Sequence, residues 1–216
     1  MIFEYNGEKR IFIHVPKTGG NTIQAAFIGH GLTMDQKVRS INNQDATDRF
    51  DIRGPNTKRK HQSLSSYIKH SPSLQSLRIL TAVRAPFERL VSFYFAPFNH
   101  AFLEPETRKI ILPESVVFNE SEFIDLTKKI KTAAEILSIS SDYIQIPKKL
   151  DVIKTENLDS QFKLLFPTIT LTKRLNVSPY QEEATKARQS KELKKEVLHS
   201  KHAIDYQLFY PEESGK

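Results

Sequence analysis

The chain has 216 residues, 38% of them hydrophobic, with no cysteine and a formal net charge of +7. That length suits one domain with a real core, and the lack of cysteine excludes disulfides, thiolate nucleophiles and cysteine metal sites. No apolar run is long enough to span a bilayer, and no basic-then-apolar leader precedes the first strand, so a cytoplasmic location is expected. The positive charge could serve an anionic polymer, a membrane surface or a polyanionic cofactor. No nucleic-acid partner is expected, because the basic residues are dispersed among acids and no zinc-finger spacing or aromatic RNA-binding motif accompanies them.

Residues 10–15 predict a strand and 20–29 a helix. Between them run Pro16-Lys17-Thr18-Gly19-Gly20, followed by Asn21 and Thr22. Pro16 stops the strand, and Gly19 and Gly20 permit positive φ and close approach of a ligand. Asn21 or Thr22 can cap the helix, and Lys17 adds a mobile cation. This layout binds a phosphate or sulfate on N–H groups at a positive helix end; the competing reading is an ordinary βα turn with an exposed lysine.

From Gly29 to Lys60 the chain is polar, with sparse and irregular apolar residues, and closes on Lys58-Arg59-Lys60-His61. Such a length reads as a functional or mobile excursion. Ser63 starts a short helix over 64–69, ended by Ser71-Pro72. Residues 77–83 form a second core strand feeding Arg84, and Pro86 opens a helix that runs to Phe95. Residues 99–119 are irregular. Ser121-Glu122 opens an amphipathic helix with Phe123, Leu126, Ile130, Ala133, Ala134 and Leu137 on one face. A third strand follows at 150–154, then a helix at 158–166. One charged helix is expected over 179–199, and Ile204 to Tyr210 supplies a last apolar patch. Strands alternating with helices argue a single α/β domain over 1–216, with a central parallel sheet flanked by helices.

Two clusters carry chemistry. A Walker A loop places its lysine after the glycines and a hydroxyl on magnesium. Lys17 comes before Gly19-Gly20, so the expected ligand is a phosphate-like group at the strand end and not a magnesium triphosphate. The second cluster is Arg84-x-Pro86-x-x-Arg89-x-x-Ser92. A guanidinium before a helix and a hydroxyl on it can grip another phosphate. Two anion sites suit a nucleotide with phosphates at both ends of its ribose.

Pro16 to Gly20 resembles the 5′-phosphosulfate loop of sulfotransferases, in the carbohydrate-modifying, heparan-sulfate-type branch. Val83 to Tyr94 resembles that family's 3′-phosphate motif, with Arg84 and Ser92 as the ligands. Lys60-His61 is similar to the Lys-His pair of bacterial members. Glu156-Asn157-Leu158, Leu175-Asn176-Val177-Ser178 and Asp205-Tyr206 to Phe209-Tyr210 resemble further signatures, in order along the chain. Three places depart from the pattern: Asn21 stands where Ser or Thr is usual, Ala85 and Phe87 where Asn and Trp are common, and Gln62-Ser63 where small residues are usual.

The resemblance implies a P-loop-like nucleotide-binding fold. It implies transfer of a sulfuryl group from 3′-phosphoadenosine 5′-phosphosulfate (PAPS), as co-substrate, to a hydroxyl of an acceptor, a carbohydrate in this branch; no metal is expected. Lys17, Thr18, Gly19, Gly20, Asn21 and Thr22 would bind the phosphosulfate end, and Arg84 and Ser92 the 3′-phosphate. Lys17 would neutralise the leaving phosphate and His61 would act as base. His14 is the rival base, although strand alternation can turn it into a hydrogen-bonded place in the core. Glu88 and Arg89 read as helix-surface or capping residues, and Lys173-Arg174 as a solvated turn or a further 3′-phosphate contact. Residues 30–60, with Arg39, Arg49, Arg53, Lys58, Arg59 and Lys60, are the expected acceptor side, suited to an anionic sugar, against a merely soluble loop. Residues 179–216 are the helical carboxyl-terminal part. Two other readings stay open: a P-loop kinase of a small molecule, and a non-catalytic nucleotide- or polyanion-binding module. Nothing in the sequence specifies the oligomeric state.

Overall fold

The computed structural model describes residues 1–38, 51–104, 106, 110–139, 149–171 and 178–214. In chain order the elements are β1 (Ile2–Tyr5), β2 (Glu8–Ile13), α1 (Gly20–Gly29), β3 (Gln36–Val38), β4 (Asp51–Arg53), α2 (Leu64–His70), β5 (Arg78–Val83) and α3 (Pro86–Tyr94). There follow β6 (Phe102–Leu103), β7 (Ile110–Ile111), α4 (Glu120–Lys129), α5 (Ala133–Leu137), β8 (Leu150–Lys154), α6 (Leu158–Leu165), α7 (Gln181–Arg188), α8 (Lys191–Leu198) and α9 (Ala203–Phe209). They group into two compact units: Met1–Val38, Phe50–Arg84 and Ala133–Leu175 in the first, and Arg39–Arg49, Ala85–Thr132 and Asn176–Lys216 in the second.

The first unit is α/β and holds a sheet of order β1-β2-β5-β8. β2, β5 and β8 are parallel, whereas β1 runs antiparallel to β2, so the expected parallel sheet is mixed. The physical cause is Asn6-Gly7. Both residues take positive φ, 52° and 75°, and make the two-residue turn that right-twisted strands favour. Asn-Gly between alternating apolar residues is the signal for this hairpin, which the strand expected at 10–15 overlooks.

Side chains at alternate strand positions share one sheet face. Phe12, Leu80, Ala82 and Ile153 thereby join Met1, Phe3 and Tyr5 in a core completed by Ile23, Ala26 and Phe27 of α1 and by Leu158, Phe162 and Phe166 of and after α6. Phe3 stacks on Phe27 with ring centroids 4.3 Å apart. Each such fully buried side chain stabilises the fold by about 1.5–3 kcal/mol, so α1 is anchored firmly behind the turn that precedes it.

The polar excursion is not structureless at its base, because β3 and β4 pair antiparallel with Gln36 opposite Arg53. Buried Asp35 fastens that base to β1 by accepting from Ile2 N at 3.0 Å and from Thr57 Oγ1 at 2.7 Å. Arg39, Asn42-Asn43-Gln44-Asp45 and Arg49 lie outside the described residues.

The second unit gathers α3, α4, α7, α8 and α9 with the short β6–β7 hairpin. Two breaks along the chain depart from the expected helices. The stripe from Phe123 to Leu137 is not one helix: Asn119 caps α4 through Glu122 N at 3.1 Å, Ile130 turns extended, and a new helix starts at Ala133. The charged tail is likewise two helices, because the Ser190 hydroxyl accepts from Leu193 N at 3.3 Å and so starts α8.

α3 begins with Pro86 at its first position, as expected. Arg89, read from sequence as a surface or capping residue, is instead core. It is 1% exposed, donates through Nη2 to Lys131 O at 2.7 Å and lies 3.8 Å from the buried Asp205 carboxylate. Glu88 pairs with Arg188 at 2.7 Å, and Phe87 N donates to the Tyr206 hydroxyl at 3.2 Å. The Asp205-Tyr206 signature therefore holds the arginine-block helix in place.

Candidate active site

β2 runs out at Ile13 because Pro16 has no N–H to extend the ladder, and the chain then folds tightly. Lys17 and Gly19 both take the left-handed conformation, with φ of 67° and 78°. Gly19 stands at the N-cap and α1 starts at Gly20, with no side-chain cap. Asn21 and Thr22 therefore lie within the first turn, and the capping role expected for one of them is not what the helix uses. The positive end of the helix dipole is left at this loop.

The loop is braced from three sides. The Thr18 hydroxyl donates to Val15 O at 2.7 Å, so what Thr18 can offer a ligand as donor is its backbone N–H. The Thr155 hydroxyl, just past β8, lies 2.9 Å from Thr18 O and 2.8 Å from Val83 O, and so ties the loop to the end of β5. A Cβ on Gly19 would stand 3.2 Å from Leu158 Cδ2, which makes close packing a second reason for glycine there. Thr155 carries no signal in the sequence beyond its place before Glu156-Asn157.

The two histidines separate in role. His14 is buried, and its Nδ1 lies 2.8 Å from Gln24 Oε1, so it occupies the hydrogen-bonded core position that strand alternation allows. His61 is half-buried, with its ring centroid 4.5 Å from that of His14 and its Nδ1 3.3 Å from His14 O. A carbonyl oxygen only accepts, so this contact places the proton of neutral His61 on Nδ1 and the lone pair on Nε2. The candidate base thus contacts the backbone of His14, three residues before Lys17 in the chain.

In the neighbouring basic cluster Arg53, Lys58 and Arg59 are exposed, as the composition suggests, but Lys60 is not. Lys60 is 5% exposed and its N–H donates to Asp51 Oδ1 at 3.0 Å. The Arg53 guanidinium pairs with Asp51 at 2.7 Å and also donates to Lys58 O. Arg84 ends the first unit directly after β5, and Ser92 is on α3 in the second. Lys173-Arg174 and Leu175 to Val177 lie outside the described residues. Among the described residues no group of three or more His, Asp or Glu side chains could hold a metal ion, and no helix is long and apolar enough to cross a membrane.

A left-handed turn carrying Lys17 and Gly19, a helix start without a side-chain cap and the His61 imidazole thus meet at one end of β2 in an α/β unit. A family model described as the sulfotransferase family matches residues 6–210, and the chain belongs to that family. The matched span takes in every motif named above, from the Lys17 loop to Asp205-Tyr206. No curated protein and no solved structure matches the chain.

Proposed function

We propose that this sulfotransferase moves the sulfuryl group of PAPS onto a hydroxyl of a carbohydrate acceptor, as a cytoplasmic bacterial enzyme. The observation that carries the reading is the pair of left-handed residues, Lys17 and Gly19, between β2 and α1, with His61 held at the same strand end. The donor set suits a phosphosulfate: one ammonium, backbone N–H groups, two glycines without Cβ, and no carboxylate anywhere in residues 11–22. Lys17, the backbone of Thr18, Gly19 and Gly20, Asn21 and Thr22 would hold that end, and Arg84 and Ser92 the 3′-phosphate on the family pattern.

When bound, PAPS supplies the sulfuryl group and a phosphate leaving group. Lys17 then faces the charge that grows on that leaving group, from a loop whose bracing by Thr155 and Leu158 leaves little reorganisation for the reaction to drive. His61 takes the acceptor proton on Nε2, because Nδ1 is engaged with His14 O.

Calorimetric titration with adenosine 3′,5′-bisphosphate and with ATP plus Mg²⁺ tests the donor. The bisphosphate should bind, and Lys17→Ala or Arg84→Ala should weaken it about ten-fold or more. Binding of ATP alone would replace this reading with a kinase. A screen of hydroxylated acceptors with labelled PAPS tests turnover. His61→Ala should keep nucleotide affinity and lose turnover by about a hundred-fold or more.

A further inference from the structure

Beside His61 lies a buried pair that the proposed reaction leaves unused, His14 and Gln24. We propose that Gln24 clamps His14, and that His14 is a positioning residue which fixes the ring plane and the tautomer of His61. The inference rests on His61 acting as base.

His14 touches His61 twice. Its carbonyl oxygen lies 3.3 Å from His61 Nδ1, and its ring sits 4.5 Å from the His61 ring, inclined by 59°. The backbone contact selects the tautomer, and the ring contact limits rotation about the His61 side-chain bonds. His14 is itself enclosed. Gln24 Oε1 holds Nδ1 at 2.8 Å, Phe12 lies behind with centroids 5.9 Å apart, and the other ring edge rests on Gly20. A Cβ at Gly20 would stand 2.3 Å from His14 Cδ2, so only glycine leaves room for the ring.

Packing alone does not explain Gln24. It is 0% exposed on α1, and its Nε2 has no hydrogen-bond partner among the described residues. A leucine would fill that position on a core-facing helix without burying an unsatisfied amide, which native structures generally avoid. Keeping glutamine there retains one specific hydrogen bond, the one to His14.

The test compares the full chain with the double variant His14→Leu/Gln24→Leu and with His61→Ala. Removing both partners of the His14–Gln24 bond together leaves neither half of that bond buried and unpaired, so the double variant should fold, and its unfolding midpoint is measured alongside. Nitrogen-15 NMR reads the His61 tautomer without any acceptor. The double variant keeps the carbonyl of residue 14 but loses the ring that holds His61 against it. The single Nδ1–H pattern should therefore give way to a mixture of tautomers, while adenosine 3′,5′-bisphosphate binds within about two-fold of the parent. With labelled PAPS and a desulfated heparin oligosaccharide, its kcat should fall about ten-fold or more with little change in KM. An unchanged His61 pattern overturns the inference, as does a loss of kcat that merely follows lost stability and nucleotide affinity. Full turnover in His61→Ala overturns the reading of His61 as base. An inactive His61→Ala beside a fully active double variant overturns the positioning role alone.

Discussion

Lys17 is a lysine in a conformation that favours glycine. Its φ of 67° brings Cβ close to the following carbonyl, a strain of about 1–2 kcal/mol for an L-residue. A glycine would carry no such strain at this position, and the proposed role of the Lys17 ammonium toward a phosphosulfate gives a reason for lysine there. Two substitutions separate the backbone from the charge. Lys17→Gly and Lys17→Ala both delete the ammonium and should weaken adenosine bisphosphate binding equally. Lys17→Gly should nevertheless be the more stable of the two by about 1 kcal/mol in urea unfolding, because it alone removes the strain. Equal stability of the two variants would show that the loop relaxes and that the left-handed turn is not imposed by its bracing.

At the scale of elements, α3 shows why the arginine block and the closing Asp-Tyr signature occur together. Arg89 and Asp205 have side chains only 2% and 3% exposed, and each neutralises the other in the core of the second unit. Asp205→Ala leaves the guanidinium buried without its counter-charge and should cost about 3–5 kcal/mol. Arg188→Ala breaks the ion pair to Glu88, whose side chains are 24% and 33% exposed, and should cost about 1 kcal/mol or less. Urea midpoints measured at constant slope check the ranking. If the double variant Arg89→Met/Asp205→Leu recovers most of the lost stability, the cost belongs to the stranded charge. Sequence periodicity cannot show this. Arg89 sits on an otherwise apolar helix face, and its buried partner lies 116 positions further along the chain. The same blindness hides the breaks at Ile130 and Ser190, where the apolar spacing continues across an interruption of the helical backbone. Ser190 alone among these carries a local signal, a serine ahead of a charged helical run.

For the molecule as a whole, the parallel strands are legible as short apolar runs, and α1 and α3 follow turns marked by Pro16, Gly19-Gly20 and Pro86. Helix α6 is announced only by Glu156-Asn157 before it and Pro167 after it. The candidate loop is legible on the same grounds as α1, whereas His61 stands out only as the histidine of the Lys60-His61 pair in the resemblance. Thr155, Gln24 and the burial of Lys60 are not, since they depend on which segments meet in space. A further property that only the folded state shows is alkaline sensitivity. Burial, the largest cause for each, raises the pKa of Tyr67 in the first unit and of Tyr94, Tyr180 and Tyr206 in the second, Tyr206 being pushed up to about 12 from an ordinary value of 10.0. Between those values the native chain keeps a proton on Tyr206 that the unfolded chain releases, so the unfolded state binds fewer protons and stability falls as pH rises. The contribution is complete below about pH 10 and is lost as the pH passes through about 12. Tyr206→Phe should be less stable than the parent at pH 8 by about 1 kcal/mol, because Phe87 N–H loses its acceptor. Its stability should then decline less steeply above pH 10, and the two curves should converge. Urea unfolding across that range, with tyrosinate absorbance as the second probe, checks the prediction, and curves that stay parallel would assign the alkaline loss to the other tyrosines.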